Sequence, residues 1–267
     1  MARKVLVMLQ EYKNDGYCLV KNVFNKYEVE LLYRDIREVF EIQGKKEGIV
    51  SENDQLVYDL AERNWGVYLK CALAAHQVPR LHTMGAGETL LHWVRCFGLK
   101  VPSINMKPVL FVSSPRLATN KFYWKAEAHQ DYSGMRGSLN GMVAWMPLVP
   151  MTKDMGYLEV APASHRLGFV NHELAGPGFV TTENHDVHWH SVEMDVGDVL
   201  FFSAFTLHRS GNNTSDKIRW AVNWRFDDLT EPTYIERGFV KPFSYERTKE
   251  PLPEGFPSVE QIQGVFS

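Results

Sequence analysis

The stretch that most limits the possible folds is His129-Gln130-Asp131-Tyr132, which lies within a region of short β-forming runs. In an extended strand alternate side chains share a face, so His129 and Asp131 can grip one metal ion while Gln130 points away. A later histidine, His208, completes a set of two imidazoles and one carboxylate. This is the facial triad of non-haem Fe(II) oxygenases, which leaves three coordination positions open.

Arg219 follows His208 at the distance of about one strand pair. Its planar, permanently charged guanidinium is suited to hold the far carboxylate of a 2-oxo acid bidentately. A lone His-x-Asp is a weak signal, and a lone strand arginine is usually a surface ion-pair partner. The order of the four residues, with Gly- and Pro-punctuated strands between them, favours the metal interpretation.

Outward from this stretch, residues 105 to 227 consist of short runs rich in Val, Phe, Tyr and Trp and bounded by Gly, Pro, Asn and Asp. Short strands without intervening helices predict a sandwich or barrel. The predicted strands are Lys107–Val112, Phe122–His129, Met142–Pro147, Tyr157–Ala161, Trp189–Met194, Val199–Phe202 and Ile218–Phe226.

The first hundred residues have helical rather than strand periodicity. Asn25 and Glu28 have capping-box spacing, and apolar residues then recur at helical intervals. The predicted helices cover residues 26–43, 54–63, 65–76 and 88–97, with Gly85, Gly87 and Gly98 as punctuation. We expect these helices to cover one side of the β structure.

The sequence resembles the phytanoyl-CoA dioxygenase family. The resemblance is carried by His129–Tyr132, Gly156–Gly168, and Gly197–Phe202 leading to His208-Arg-Ser210 and Arg219, and it extends weakly to Tyr12–Phe24. It implies a double-stranded β-helix (a jelly roll, cupin-like) that is mainly β with α-helical cover. It also implies Fe(II) held by His129, Asp131 and His208, with 2-oxoglutarate and O2 as co-substrates. The family's halogenases lack the carboxylate that Asp131 supplies, so the resemblance favours hydroxylation or a related desaturation.

The resemblance further implies roles for neighbouring residues. Arg219 corresponds to the residue that binds the far carboxylate of 2-oxoglutarate, and Ser210 to a hydroxyl that assists it. Ser210 also fits an ordinary turn. Trp145 and Lys107 occupy positions like those of residues that line the co-substrate, although core packing or a solvated strand end explains them equally well.

Four further polar residues are candidates for substrate contact: Gln130, Tyr132, Arg136 and Arg225. The first three also fit an exposed turn, and Arg225 with Asp227 also fits a surface ion pair. His165, His185, His188 and His190 are not expected to bind metal. Residues 169 to 188, which contain Gly176-Pro-Gly178, form a long excursion that we expect to act as a lid.

Length and composition agree with one domain over residues 1–267, divided into a helical part of about 1–100, a jelly-roll core of about 104–227 and a tail of 228–267. The formal charge of −3 and pI near 6.4 give no basic footprint for nucleic acid. Cys18, Cys71 and Cys96 lack metal or disulfide spacing, which fits a reducing compartment.

Near the N-terminus, Gln10, Glu11 and Lys13 interrupt the apolar run, so we expect a short amphipathic helix rather than a signal peptide. No stretch is long enough for a membrane span. We therefore expect a cytoplasmic Fe(II)/2-oxoglutarate-dependent dioxygenase that hydroxylates a polar small molecule. The alternatives are a cupin-type metal-dependent isomerase or epimerase and a catalytically silent binding module on the same fold.

Overall fold

A computed structural model describes residues 2–118, 125–175, 178–182 and 185–239. Six α-helices and one short strand precede the main β region. The helices are α1 Ala2–Asp15, α2 Lys26–Lys46, α3 Asn53–Arg63, α4 Trp65–Ala75, α5 Pro79–Ala86 and α6 Glu88–Cys96, with strand β1 at Tyr17–Val20 between α1 and α2.

The remaining elements are mostly short strands. They are β2 Pro102–Ser113, a single helical turn α7 at Tyr132–Met135, β3 Met142–Pro147, β4 Leu158–Val160, β5 His172–Ala175, β6 Gly178–Thr181, β7 His190–Ser191, β8 Val199–Ser203, β9 His208–Ser210, β10 Arg219–Asp228 and the short helix α8 Pro232–Glu236. No described helix is both long enough and apolar enough to cross a membrane.

The strands form three antiparallel sheets. The largest has the order β1-β8-β3-β10-β2, a second has the order β7-β4-β9, and β5 pairs only with β6 within the described chain. Alternation along β3 assigns its two faces: Ala144 and Met146 pack towards the helices, whereas Val143 and Trp145 pack towards Leu158 of the second sheet. The jelly-roll interior therefore lies between the two larger sheets, and α2 to α6 cover the outer face of the large one.

The four predicted helices are confirmed to within a few residues as α2, α3, α4 and α6. Asn25 caps α2 and forms the expected capping box with Glu28. The sequence interpretation missed α5 because it treated Gly85 as punctuation. In the structure Pro79 begins this helix and Gly85 lies inside it, against the indole of Trp224.

Two strand predictions are wrong in part. Residues 122–124 lie outside the described chain, residues 125–128 form no strand, and His129 makes a single bridge to His208. The predicted strand Trp189–Met194 is reduced to His190–Ser191, because only these residues have ladder partners in β4. The tail from residue 240 onward, including Pro251–Pro257, also lies outside the described residues.

Candidate metal and anion site

His129 and His208 are brought together by backbone pairing. The His129 N–H donates to the His208 carbonyl at 3.0 Å, and the His208 N–H donates back at 3.1 Å. The two imidazole centroids are 4.2 Å apart. His208 begins β9, which is fixed to β4 through the pair Val160 and His208. A short antiparallel contact therefore unites two residues that are far apart in sequence.

Asp131 reaches the same point by a different route from the one the sequence suggested. Its backbone is helical (φ −64, ψ −23) and it immediately precedes α7, so His129 and Asp131 do not share one strand face. The carboxylate nevertheless turns back, with Oδ1 3.8 Å from His129 Nε2 and Oδ2 3.8 Å from His208 Nε2. Among the described residues, these three form the group whose ligand atoms all lie within 4.8 Å of one another.

Hydrogen bonds orient both imidazoles for metal binding. His129 Nδ1 lies 2.7 Å from the Glu127 carbonyl, and His208 Nδ1 lies 3.0 Å from the Thr206 carbonyl. A carbonyl can only accept, so each Nδ1 carries the proton and each Nε2 presents its lone pair to the site. Burial, followed by the nearby His129, lowers the pKa of His208 to about 3, which keeps this imidazole neutral.

Asp131 is a buried carboxylate with one free oxygen. Burial by itself raises the pKa of its carboxyl, but Arg225, followed by His208 and His129, lowers the net pKa below the ordinary value. Oδ1 accepts from Arg225 Nη2 at 2.8 Å, whereas the buried Oδ2 has no hydrogen-bond partner. Unpartnered buried polar atoms are rare. An ionised carboxylate with an unpartnered oxygen, close to two imidazole lone pairs, therefore fits a divalent metal ion.

Arg219 is a buried cation without an acidic partner in the described chain. Its Nη1 donates to the carbonyl of Gly156 at 2.5 Å, Nη2 lies 3.5 Å from Ser113 Oγ, and Nε has no partner. Burial lowers its pKa to about 10, so the group stays charged at neutral pH. A buried charge is costly unless it is paired. Arg219 therefore fits a carboxylate supplied by a ligand.

The other two predicted co-substrate residues in the interior differ in their surroundings. Ser210 lies two residues past His208 on β9, where its hydroxyl accepts from the Ala126 N–H at 2.9 Å. Trp145 is buried in the interior cluster and pairs with Asn223 of β10. Both lie in strands that border the jelly-roll interior, and their co-substrate roles stay predictions.

The assignment of Lys107 to the co-substrate site is wrong. β2 carries one extra residue between Met106 and Val109, since these pair with Arg225 and Asn223. This bulge resets the alternation of side chains. Lys107 is exposed and borders a groove with His82 and other residues against α5 and α6, on the outer face of the sheet.

Gln130 is not available to a substrate. Its side chain is fully buried, and Nε2 donates to the carbonyls of Gly168 and Phe205, both at 2.7 Å, while Oε1 accepts from the Val170 N–H at 3.0 Å. The backbone N–H of Gln130 donates to His172 Nε2. Gln130 thus fastens the segment before β5 to the metal-ligand segment, because its amide matches three backbone groups at once.

Arg225 and Asp227 do not form a surface ion pair. Arg225 is largely buried and contacts Asp131, whereas Asp227 is fully buried and accepts from Ser138 N and Asn105 Nδ2. Each charge therefore has its own partners on other elements of the fold.

Two candidates for substrate contact remain open. The half-buried Tyr132 ring stacks on Phe205, with centroids 4.2 Å apart, and meets the edge of Phe169. Arg136 is exposed, has a left-handed backbone (φ 47), and its Nε lies 3.4 Å from the Ser133 carbonyl. Tyr132 therefore contributes to an aromatic group next to Asp131, whereas Arg136 faces solvent.

The sequence interpretation missed Asn223 and His172. Asn223 is buried, and its Oδ1 accepts from Arg225 Nη1 at 3.2 Å. Strand alternation from Arg219 would have found Asn223, because residues 219, 221, 223 and 225 share one face of β10. His172 belongs to the predicted lid, which in the structure contains the β5–β6 hairpin, and residues 176–177 and 183–184 of that segment lie outside the described chain.

Comparison with known proteins assigns the fold and the family. The chain is similar to the 1-deoxypentalenic acid 11-beta-hydroxylase of Streptomyces arenae, with 28% identity over 57% of this chain and 56% of that protein. It is also similar to the peroxisomal phytanoyl-CoA dioxygenase of Bos taurus, with 21% identity over 81% of this chain and 66% of that protein. Both alignments thus cover less than two thirds of the relative's length.

Among solved structures, the epimerase SnoN in complex with Fe3+, alpha ketoglutarate and nogalamycin RO matches with a TM-score of 0.63 and 15% identity over 86% of each chain. EctD from S. alaskensis matches with a TM-score of 0.56 and 14% identity over 86% of this chain and 77% of that chain. These likenesses confirm the predicted jelly-roll fold. The family model of phytanoyl-CoA dioxygenase matches residues 12–221, and the chain therefore belongs to the phytanoyl-CoA dioxygenase family.

Proposed function

We propose that the protein is an Fe(II)- and 2-oxoglutarate-dependent dioxygenase that hydroxylates a small organic molecule. The observation that carries this proposal is the buried carboxylate of Asp131, whose Oδ1 lies 3.8 Å from His129 Nε2 and whose unpartnered Oδ2 lies 3.8 Å from His208 Nε2. Two imidazoles and one carboxylate favour Fe(II) in a facial triad. The buried Arg219, which has no acidic partner among the described residues, supplies the second half of the argument, since its charge fits an anionic ligand.

Each residue of the site then has a defined task. His129, Asp131 and His208 hold the metal, Arg219 binds the distal carboxylate of 2-oxoglutarate, and Ser210 and Trp145 border the co-substrate. The bound metal and co-substrate supply an oxidation by O2 that is coupled to loss of CO2 and release of succinate. The protein orients the reactants and excludes water, which protects the chemistry from side reactions.

The substrate is a small molecule with a polar group. The aromatic group of Tyr132, Phe169 and Phe205 lies next to Asp131 and offers an apolar wall for the substrate. The charged groups of the interior would face the polar part of the substrate. The similarity to the 1-deoxypentalenic acid 11-beta-hydroxylase favours hydroxylation over epimerisation. A non-oxidative isomerase would not need Arg219, and a silent binding module would not need the complete triad. The free cysteines support a cytoplasmic location.

Metal stoichiometry and succinate formation test the proposal. The parent protein, dialysed anaerobically against Fe(II), should bind one ion per chain, and it should form succinate from 2-oxoglutarate once O2 is admitted. His129→Ala should lose both, whereas His188→Ala, at an exposed histidine outside the triad, should lose neither. Undiminished iron binding and turnover in His129→Ala would remove the triad from the proposal.

A further inference from the structure

The two carboxylate oxygens of Asp131 have different surroundings. Oδ1 lies 3.8 Å from His129 Nε2 and receives a charge-assisted hydrogen bond from Arg225 Nη2 at 2.8 Å. Oδ2 is buried, lies 3.8 Å from His208 Nε2 and has no hydrogen-bond partner. One oxygen is thus already paired by the protein, while the other is left for a ligand.

Arg225 is itself held in place. Its Nη1 donates to Asn223 Oδ1 at 3.2 Å and lies 3.5 Å from Met106 Sδ, and its side chain is 11% exposed. Asn223 is a buried residue two positions earlier on β10, and Met106 pairs with Arg225 across the ladder. The Arg225 guanidinium therefore approaches Asp131 from strand β10 rather than from a loop.

We propose that Arg225 is a positioning residue that occupies Oδ1 of Asp131, so that the carboxylate binds the metal through Oδ2 alone. This inference depends on the proposed function, because it concerns the metal that the triad holds. A carboxylate bound through one oxygen gives a triad of three ligand atoms and leaves three of six positions open. A carboxylate bound through both oxygens would leave two, and chelation by 2-oxoglutarate would then fill the site.

The proposal predicts the direction in which metal affinity changes when Arg225 is removed. The Arg225 cation competes with the metal for the charge of Asp131, so its removal should not weaken metal binding. Removal of Arg225 should instead reduce the number of open coordination positions and the affinity for the co-substrate. If Arg225 served only to hold the Asp131 side chain in place, its removal would weaken metal binding and leave the number of open positions unchanged.

Mn(II) is a suitable probe because the relaxation of water protons reports the number of water molecules it binds. We would load the full-length protein with Mn(II), measure proton relaxivity and Mn(II) affinity, and titrate 2-oxoglutarate. The variants are Arg225→Met and the uncharged polar Arg225→Gln, which keeps the test available if the first variant fails to fold. Arg80→Met is the matched control, since Arg80 forms a 2.7 Å ion pair with Asp35 in the helical layer.

We expect either Arg225 variant to lose about one third of the site's relaxivity, as the open positions fall from three to two. Its Mn(II) affinity should be unchanged or higher, its 2-oxoglutarate affinity several-fold lower, and Arg80→Met should match the parent. Unchanged relaxivity, or a loss of Mn(II) affinity, in the Arg225 variants would overturn the inference. A parent protein that binds no metal would overturn the proposed function and the inference with it.

Discussion

At the residue scale, the site combines two buried charges with different needs. Asp131 has its own counter-charge in Arg225, whereas Arg219 has backbone carbonyls and a serine hydroxyl but no acid among the described residues. Neutral acceptors compensate a guanidinium less well than a carboxylate does. An anionic ligand would therefore gain more binding free energy from pairing with Arg219 than from any contact with Asp131 or Arg225.

The first prediction concerns Arg219→Met. The change should weaken 2-oxoglutarate binding by about tenfold or more, because a charge-assisted pair contributes about 1.5–3 kcal/mol. Metal affinity should stay nearly unchanged, since the hydrogen bonds of Arg219 within the described chain go to Gly156, Gly211 and Ser113 and not to the triad. Anaerobic titration calorimetry measures both affinities.

Arg209→Met provides the control for Arg219, because Arg209 follows the ligand His208 and carries the same charge. It bonds Glu159 at 2.6 Å and stacks on Trp189 at the surface. Equal 2-oxoglutarate affinity in Arg219→Met and Arg209→Met would contradict the co-substrate assignment.

The second prediction concerns the pH dependence of the metal-free protein. Burial lowers the pKa of His208 from 6.5 to about 3, so below pH 6.5 the unfolded chain binds a proton that the folded chain does not. Stability from this residue is present above pH 6.5 and is lost as the pH falls. The loss between pH 6.5 and 5 should be about 1.5 kcal/mol.

Urea unfolding in the presence of a chelator at several pH values measures this effect. His76 and His165 also have pKa values lowered by burial, so the test is the difference between the parent and His208→Asn. The variant should show the weaker dependence between pH 6.5 and 5. Parallel curves for the two proteins would show that His208 does not titrate as the structure requires.

At the scale of elements, Gln130 connects three segments that the site requires. Its amide reaches the carbonyls of Gly168 and Phe205 and the N–H of Val170. It thereby joins the start of α7 to the segment before β5 and to the turn before β9. Gln130, which lies between His129 and Asp131 in sequence, is therefore structural, because its side-chain hydrogen bonds all go to backbone groups of other segments.

The third prediction is that Gln130→Leu destabilises the protein by about 2–4 kcal/mol, since it leaves several buried backbone groups unpaired. Gln130→Glu should also destabilise it, because a carboxylate cannot donate to two carbonyls. Chemical denaturation gives the free energy, and hydrogen exchange should show faster exchange in β5 and β6. Gln10→Leu, at an exposed residue of α1, should change stability by less than about 0.5 kcal/mol.

Loss of stability confined to Gln130→Glu would show that the buried charge, rather than the missing hydrogen bonds, is responsible. Unchanged exchange in β5 and β6 would show that Gln130 does not restrain the hairpin. The hairpin's role as a lid stays a prediction.

At the scale of the whole molecule, the helical layer and the large sheet share one apolar core. Trp224 of β10 donates through Nε1 to the Leu81 carbonyl of α5 at 2.8 Å, and its ring lies against Gly85 of the same helix. β10 also carries Arg219 and Arg225 on its other face. The packing of α5 on Trp224 therefore helps to fix the strand that supplies both arginines of the site.

The fourth prediction is that Gly85→Ala destabilises the protein by about 1–3 kcal/mol, although alanine is the better helix former. A methyl group at this position would overlap the indole of Trp224. Gly66→Ala is the matched control, because its methyl group would meet only Asn64 Oδ1 at 3.6 Å. We expect this control to be neutral or more stable by up to about 1 kcal/mol. An equal decrease in the midpoint temperature of thermal unfolding in both variants would contradict the close-packing argument.

The sequence by itself determined the class of this protein. Short strands after about residue 104, helical periodicity before it, and the order of His129, Asp131, His208 and Arg219 are one-dimensional features. They predict a sandwich or barrel with a metal site, and the family resemblance selects a jelly-roll oxygenase. The structure and the family match confirm the fold and the family. Burial explains this success, because apolar periodicity records which face of each element meets the core.

Only the tertiary structure decided which polar residues face the site. A bulge in β2 turns Lys107 outward, the helical backbone at Asp131 replaces the expected strand, and Gln130 bonds to segments that are distant in sequence. The partners of Arg225 were equally invisible, since Asp131 lies on another element. Such contacts depend on register and on the packing of separate segments, which local pattern does not encode.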